Sequence, residues 1–161
     1  RYKLNLKREF PRLPFYPAFH DWAATGKALM ELHLGFEAAE PYALERYDDP
    51  NRDPESTPKP RLRFRKSDLS VIELDEQTVL RGVPPEAHEY KLGNRAALAW
   101  VLDQYKEKKP SDPTVAKHFN TYRFADYKET VIDLLKRVCT VSVETVRLVE
   151  SLRQLPHDEE A

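Results

Sequence analysis

The chain has 161 residues, 40% hydrophobic and 11% aromatic, with a formal net charge of −1. That length and apolar content suit one domain around a single core and exclude a disordered tail. No apolar run approaches the roughly 20 residues needed to cross a bilayer, and a lone cysteine, Cys139, excludes an internal disulfide and fits a reducing cytoplasm.

Residues 1–17 mix cations (Arg1, Lys3, Lys7, Arg8 and Arg12) with apolar residues such as Leu4, Leu6, Phe10 and Leu13. Pro11, Pro14 and Pro17 prevent a long helix there, so a short helical start followed by extended chain is expected. Met30 is the only methionine and the chain begins abruptly in this basic stretch, so it reads as a piece of something larger. The first long helix is predicted over about Ala18–Leu34. Phe19, Trp22, Ala23, Gly26, Leu29, Met30 and His33 recur at helical spacing and make one apolar face, on which His33 is a core histidine. Gly26 in mid-helix costs about 1 kcal/mol relative to alanine, which predicts close approach of another element. Gly35 is the expected stop.

Residues 48–60 (DDPNRDPESTPKP) carry four prolines and no apolar anchor, and predict an exposed, mobile loop. RLRFRK, LSVIEL and QTVLRGV then predict a small antiparallel sheet of two to four strands across residues 61–92, with Asp75-Glu76 as a turn and Val83-Pro84-Pro85 as its end. Strand alternation puts Arg61, Arg63 and Arg65 on one face, with Lys66 just beyond. NRAALAWVLDQYKEKK predicts a second helix, capped by Asn94, with Ala97, Trp100, Val101, Gln104 and Tyr105 on one face. Its lysine-rich end (Lys106, Lys108, Lys109) suits the negative end of the helix dipole. A turn follows at Pro110–Pro113, then the aromatic cluster Phe119, Tyr122, Phe124 and Tyr127. A third helix is predicted from about Ala125 to Leu152, where Val131, Leu135, Val138, Ser142, Val146, Val149 and Leu152 keep phase and the β-branched run Thr140–Val143 could divide it.

The fold class expected is α+β, about three main helices packed with a small antiparallel sheet. It forms one excised domain: a basic segment and helix (1–47), the mobile loop (48–60), the sheet (61–92) and the C-terminal helices (94–154).

Catalytic spacings are not found. The five histidines are scattered, without a metal-ligand grouping. Gly26-Lys27 lacks the upstream glycine of a phosphate loop. Asp103 with Glu107-x-Lys109 has the lettering of a nuclease triad, but at a helix end it reads as a solvated charged face. With four glycines there is no nucleotide fingerprint, and no nucleophile stands by a base. Neither a catalytic residue, a metal nor a cofactor is expected in this chain.

What remains is recognition chemistry: cations for phosphates, and Arg or Asn for base edges. The candidates are Lys7, Arg8 and Arg12; Arg61, Arg63, Arg65 and Lys66; Lys106 and Lys109; and Asn120 and Arg123. The arginine strand reads equally well as a sheet edge protected by positive charge, and the balanced composition taken alone favours a solvated surface. Tyr122, Phe124 and Tyr127 are expected in the core before they are expected as stacking platforms.

Four segments carry a resemblance: LKREFPRLPFY (6–16), TGKALMELHLGFE (25–37), VPPEAHEYKLGNRAALAWVLDQY (83–105) and NTYRFADYKETVIDLLKRVCTVSVETVRLVESL (120–152). In this order they resemble the C-terminal specificity region of type ISP restriction-modification enzymes, which join nuclease, helicase, adenine methyltransferase and target-recognition parts in one polypeptide. The resemblance implies sequence-specific recognition of double-stranded DNA, serving adenine methylation and ATP-dependent cleavage. The partners it implies are DNA and the upstream methyltransferase and helicase domains, with no catalysis in this fragment. The methylation signature Asn-Pro-Pro-Tyr and the helicase phosphate loop are absent, as expected if those domains lie upstream. Residues 40–82, between the resembling flanks, would carry a change of DNA target. The open alternatives are a docking or scaffold module between methyltransferase and helicase that touches no base, and a small hydrolase with a pocket of converging titratable groups.

Overall fold

A computed structural model of the chain describes residues 17–51, 56–108, 110–119 and 121–155. Helix α1 (Phe19–Leu34) leads through a single 3-10 turn (Phe36–Ala38) to strands β1 (Glu45–Asp48), β2 (Pro60–Arg65), β3 (Asp68–Asp75) and β4 (Thr78–Arg81). A short helix α2 (Glu86–Glu89), a hairpin of β5 (Lys91–Leu92) and β6 (Arg95–Ala96), and helices α3 (Ala97–Gln104), α4 (Pro113–Phe119) and α5 (Phe124–Arg153) complete the described elements. The class is the α+β one expected, with α1, α3 and α5 as the main helices.

The sheet is antiparallel with strand order β1-β4-β3-β2. β3 and β4 are the two interior strands, and every residue of β3 from Val71 to Asp75 is buried. Ile72 and Leu74 share one sheet face with Leu62 and Leu80. These four pack with Leu98 and Leu102 of α3 and with Val131, Ile132, Leu135 and Cys139 of α5 in one cluster, closed by Phe124. Each such leucine or isoleucine, fully buried, contributes roughly 1.5–3 kcal/mol of transfer free energy. The segment leading into β1 is strapped along α5: Arg137 Nη1 donates to Ala39 O at 2.6 Å, Thr140 Oγ1 to Glu40 O at 2.6 Å, and Tyr42 N to Lys136 O at 3.1 Å.

Several sequence expectations need correction. The sheet begins at Glu45 rather than at residue 61, because β1 joins its far edge, while residues 91–92 belong to a separate hairpin. Asn94 caps no helix; with Gly93 (φ +69°) it forms the β5–β6 turn, and α3 starts at Ala97. The buried residues of α3 are Ala97, Leu98 and Leu102, whereas Trp100 and Gln104 of the face first picked out are exposed. Past the turn expected at Pro110–Pro113 comes α4, a helix not expected from the sequence; Asp112 caps it, accepting from Thr114 N at 2.7 Å and Val115 N at 3.0 Å. The run Thr140–Val143 does not divide α5, because Val141 and Ser142 are buried and packing overrides the weak helix propensity of β-branched residues. Among the described residues Gly26 has no close neighbour: a Cβ built there would meet nothing within 4 Å.

Candidate nucleic-acid interface

The site grows out of an irregularity in β2. Pro60 pairs with Asp75 and Arg63 with Glu73, so three steps on β2 oppose two on β3, a one-residue bulge at Arg61–Leu62. Leu62 holds φ at +41°, a conformation that costs a non-glycine residue about 1–3 kcal/mol, and its side chain is 1% exposed in the core. Burial of the leucine sustains the strain. The bulge also re-aims the arginines that strict alternation placed together.

Arg63 and Arg65 converge on one carboxylate. Arg63 Nε donates to Glu73 Oε2 at 2.9 Å and Arg65 Nε to Glu73 Oε1 at 3.2 Å. The Glu73 side chain is 12% exposed, against 55% and 38% for the two arginines. The bond from Arg63, together with that from Arg65 and against the opposing effect of burial, holds the Glu73 carboxyl below its ordinary range. Arg61 parts from them: its Nη2 lies 3.9 Å from Glu76 Oε1 in the β3–β4 turn.

Two adjoining hollows lie between β2 and the end of α3. One, of 310 Å³, is lined by Lys59, Arg61, Lys106 and Glu107; the other, of 380 Å³, by Arg63, Phe64, Arg95, Asp103 and Lys106, and both share Leu62. Asp103 gathers Lys106 at 3.2 Å and Lys108 at 3.7 Å from beyond the helix end, and Arg95 of β6 at 3.8 Å. Its carboxyl is lowered first by the Lys106 hydrogen bond and then by the charge of Lys108. These are exposed pairs that water and salt screen, so the cations remain available to another anion.

The structure therefore brings Arg61 and Arg63 each beside Lys106 in the two hollows and joins Arg65 to Arg63 through Glu73. Lys66 lies in the β2–β3 turn, exposed. Arg123 stands beside the same end of α3, because Tyr122 Oη donates to Tyr105 O at 3.0 Å and Phe124 N to Glu107 Oε1 at 2.9 Å. Lys7, Arg8, Arg12, Lys109 and Asn120 lie outside the described residues. Of the aromatics, Phe124 is core at 1% exposure, whereas Tyr127 is 48% exposed and stacks on Tyr122 with 5.4 Å between ring centroids.

Sequence reasoning missed Lys59, Arg95, Glu73 and Asp103 as members of this surface. Glu73 was legible only as one acid of an acidic strand; its role needs the register. Register also reveals a row across the sheet, Arg63–Glu73–Val79–Tyr47, on the face opposite the core, where Arg81 lies over the Tyr47 ring at 4.8 Å. Elsewhere, His33 sits at a helix junction rather than deep in the core, with Nε2 3.0 Å from Tyr90 Oη and 3.4 Å from Thr145 Oγ1. It borders an apolar cleft of 620 Å³ lined by Phe36, Trp100, Val101, Tyr105 and Val138. The α3 face first picked out from the sequence lines this cleft.

Among the described residues no three side chains of metal-ligating type cluster, and no helix is long and apolar enough to cross a membrane. The fold and the site define an α+β domain whose cations gather about one edge strand and one helix end. The chain belongs to the family described as the Type ISP C-terminal specificity domain, whose model matches residues 1–134. It is similar to part of the DrdV–DNA complex solved by cryo-electron microscopy, at 52% identity and a TM-score of 0.85 over 99% of this chain. It is also similar to part of a nuclease-deletion mutant of the Type ISP restriction-modification enzyme LlaGI, solved with a DNA substrate mimic (27% identity, TM-score 0.68, 98% of this chain). The ATP-dependent Type ISP restriction-modification enzyme LlaBIII, solved bound to DNA, shares the fold at 24% identity and a TM-score of 0.69 over 98% of this chain. This chain spans 16%, 12% and 10% of those three chains respectively. Comparison with curated proteins gave no match.

Proposed function

We propose that this chain is the target-recognition part of a Type ISP restriction-modification enzyme and reads the sequence of duplex DNA for the adenine methyltransferase and the ATP-driven helicase-nuclease of its parent polypeptide. The observation that carries this reading is the 52%-identical counterpart in a DNA complex, aligned over 99% of the chain. The chemistry agrees: Arg61, Arg63, Arg65, Lys66, Lys106 and Arg123 supply cations for the phosphates and forks for base edges. Lys7, Arg8, Arg12, Lys109 and Asn120 remain candidates from the sequence. On this reading the fragment catalyses nothing and holds no cofactor, its partners are DNA and the parent's other domains, and the enzyme works in the cytoplasm. The test is a chimera in which residues 1–161 replace the corresponding segment of a Type ISP enzyme with a different target. The methylated sequence should change to that of the donor; retention of the host's sequence would sink the proposal.

One observation favours a second role beside the first. α1 contains no buried residue, and Phe19, Met30 and Leu34 are 69%, 55% and 79% exposed. A helix with this much outward apolar surface suits docking against the rest of a parent several times longer than this chain. An active chimera that keeps the host's target would favour docking alone.

A further inference from the structure

A phosphate contact needs charge; a base contact needs charge held at a fixed angle. The Arg63–Glu73–Arg65 group is built for the second requirement at the expense of the first. Glu73 offsets charge on both arginines, and Asp68, opposite Arg65 in the register, draws on Arg65 as well, which weakens both as phosphate anchors. Each arginine spends only its Nε on the carboxylate, one on each oxygen, and their Nη groups have no partner among the described residues. The acid itself stands on an interior strand and is nearly buried, so it orients both forks from a rigid base. Lys59 and Lys66, exposed and unpaired among the described residues, are the freer charges nearby.

β2 is an edge strand of the sheet, and a two-stranded ribbon fits a major groove about 12 Å wide. Arg63 and Arg65 lie on either side of a register break at Phe64/Arg65. Their forks are set by the two oxygens of one carboxylate that they share, a separation on the order of one or two base-pair steps of about 3.4 Å each. From this geometry, and resting on the DNA-recognition reading above, we propose that Arg63 and Arg65 are specificity-determining residues that each read a guanine edge through O6 and N7 in the major groove. Glu73 is the positioning residue that fixes their forks. The target sequence accordingly contains two G·C pairs within about one or two steps of each other.

The experiment uses the full-length parent enzyme, with methylated sites mapped across random duplexes and binding measured on target and non-target DNA over a range of salt. R63K and R65K keep the charge and remove the planar fork. Each should relax one G·C position about tenfold or more while leaving non-target affinity within about twofold. E73Q removes an acid from the surface, so non-target binding should strengthen and its salt dependence steepen, while the ratio of target to non-target affinity falls. That opposition separates positioning from a merely structural role, which would weaken both. Unchanged discrimination in R63K and R65K would overturn the proposal, as would an equal loss on both DNAs with a shallower salt slope in R63A and R65A, the signature of phosphate contacts. If E73Q melts early, the two lysine variants decide. Failure of the chimera would instead strike the underlying reading, whatever these variants do.

Discussion

Two titratable groups show how differently burial acts at the scale of a residue. Cys139 is fully buried in the α5 core, and desolvation alone pushes its thiol up to about 12, so it stays protonated and inert at neutral pH. Glu73 is also nearly buried, yet the Arg63 hydrogen bond outweighs desolvation and its carboxyl falls below the ordinary range. A carboxyl lowered in the folded state contributes stability that is present above its unfolded pKa and is lost as pH falls through its folded pKa. In R63A the main lowering influence is gone while the burial remains, so Glu73 should titrate at a higher pH and release its stabilisation sooner on acidification. Carboxyl NMR titration of Glu73 in the two proteins checks this; an unmoved midpoint would show that Arg63 does not govern the acid.

At the scale of the element, α1 offers the cleanest test of helix propensity. Gly26 is exposed in mid-helix and a Cβ there would meet nothing among the described residues, so none of them supplies the close neighbour expected of a mid-helix glycine. G26A should therefore stabilise the chain by about 0.5–1 kcal/mol, read as a higher thermal midpoint; a fall would reveal a contact that the fold does not show. The three main helices were legible because each repeats apolar residues at helical spacing, β2 because charged and apolar residues alternate, and β3 and β4 because their runs are apolar and β-branched. β1 was not, because Glu45, Arg46 and Tyr47 are all exposed and leave no apolar signature. The β5–β6 hairpin was hidden because Gly93-Asn94 serves a turn as well as Asn94 would serve a cap. The arginines of β2 were legible as a basic strand. Their separation was not, since it depends on a bulge at Leu62, and no leucine announces a positive φ. The acid that joins Arg63 to Arg65 lies on another strand, and only register finds it.

At the scale of the whole molecule, the arginine surface is only as firm as the junction between the sheet and the helix behind it. That junction is apolar at its centre and carries a polar network beside it. Lys128 of α5 places Nζ 2.8 Å from Asp75 Oδ2 and donates to Thr78 Oγ1 at 2.6 Å, and Thr78 Oγ1 donates to Asp48 Oδ1 at 2.7 Å. Asp48 is also bound by Arg46, whose Nη1 reaches Glu129 on α5 at 2.9 Å. Burial works against the Asp48 charge, but the bonds from Thr78 and Arg46 prevail and lower its pKa. Asp75 is central to this arrangement, because its side chain is 1% exposed and its Oδ1 also takes the backbone N–H of Gln77 and Thr78 that form the β3–β4 turn. Removing Lys128 leaves that carboxylate buried without its counter-charge, a change that costs about 3–5 kcal/mol in comparable buried pairs. K128M should therefore lower the urea midpoint severely, whereas the double variant D75N/K128M should recover much of the loss, since no uncompensated charge is left behind. If K128M unfolds with the wild-type midpoint, the pair is not what joins helix to sheet. If it unfolds early and the double variant recovers nothing, the lysine acts through its contact with Thr78 rather than through charge.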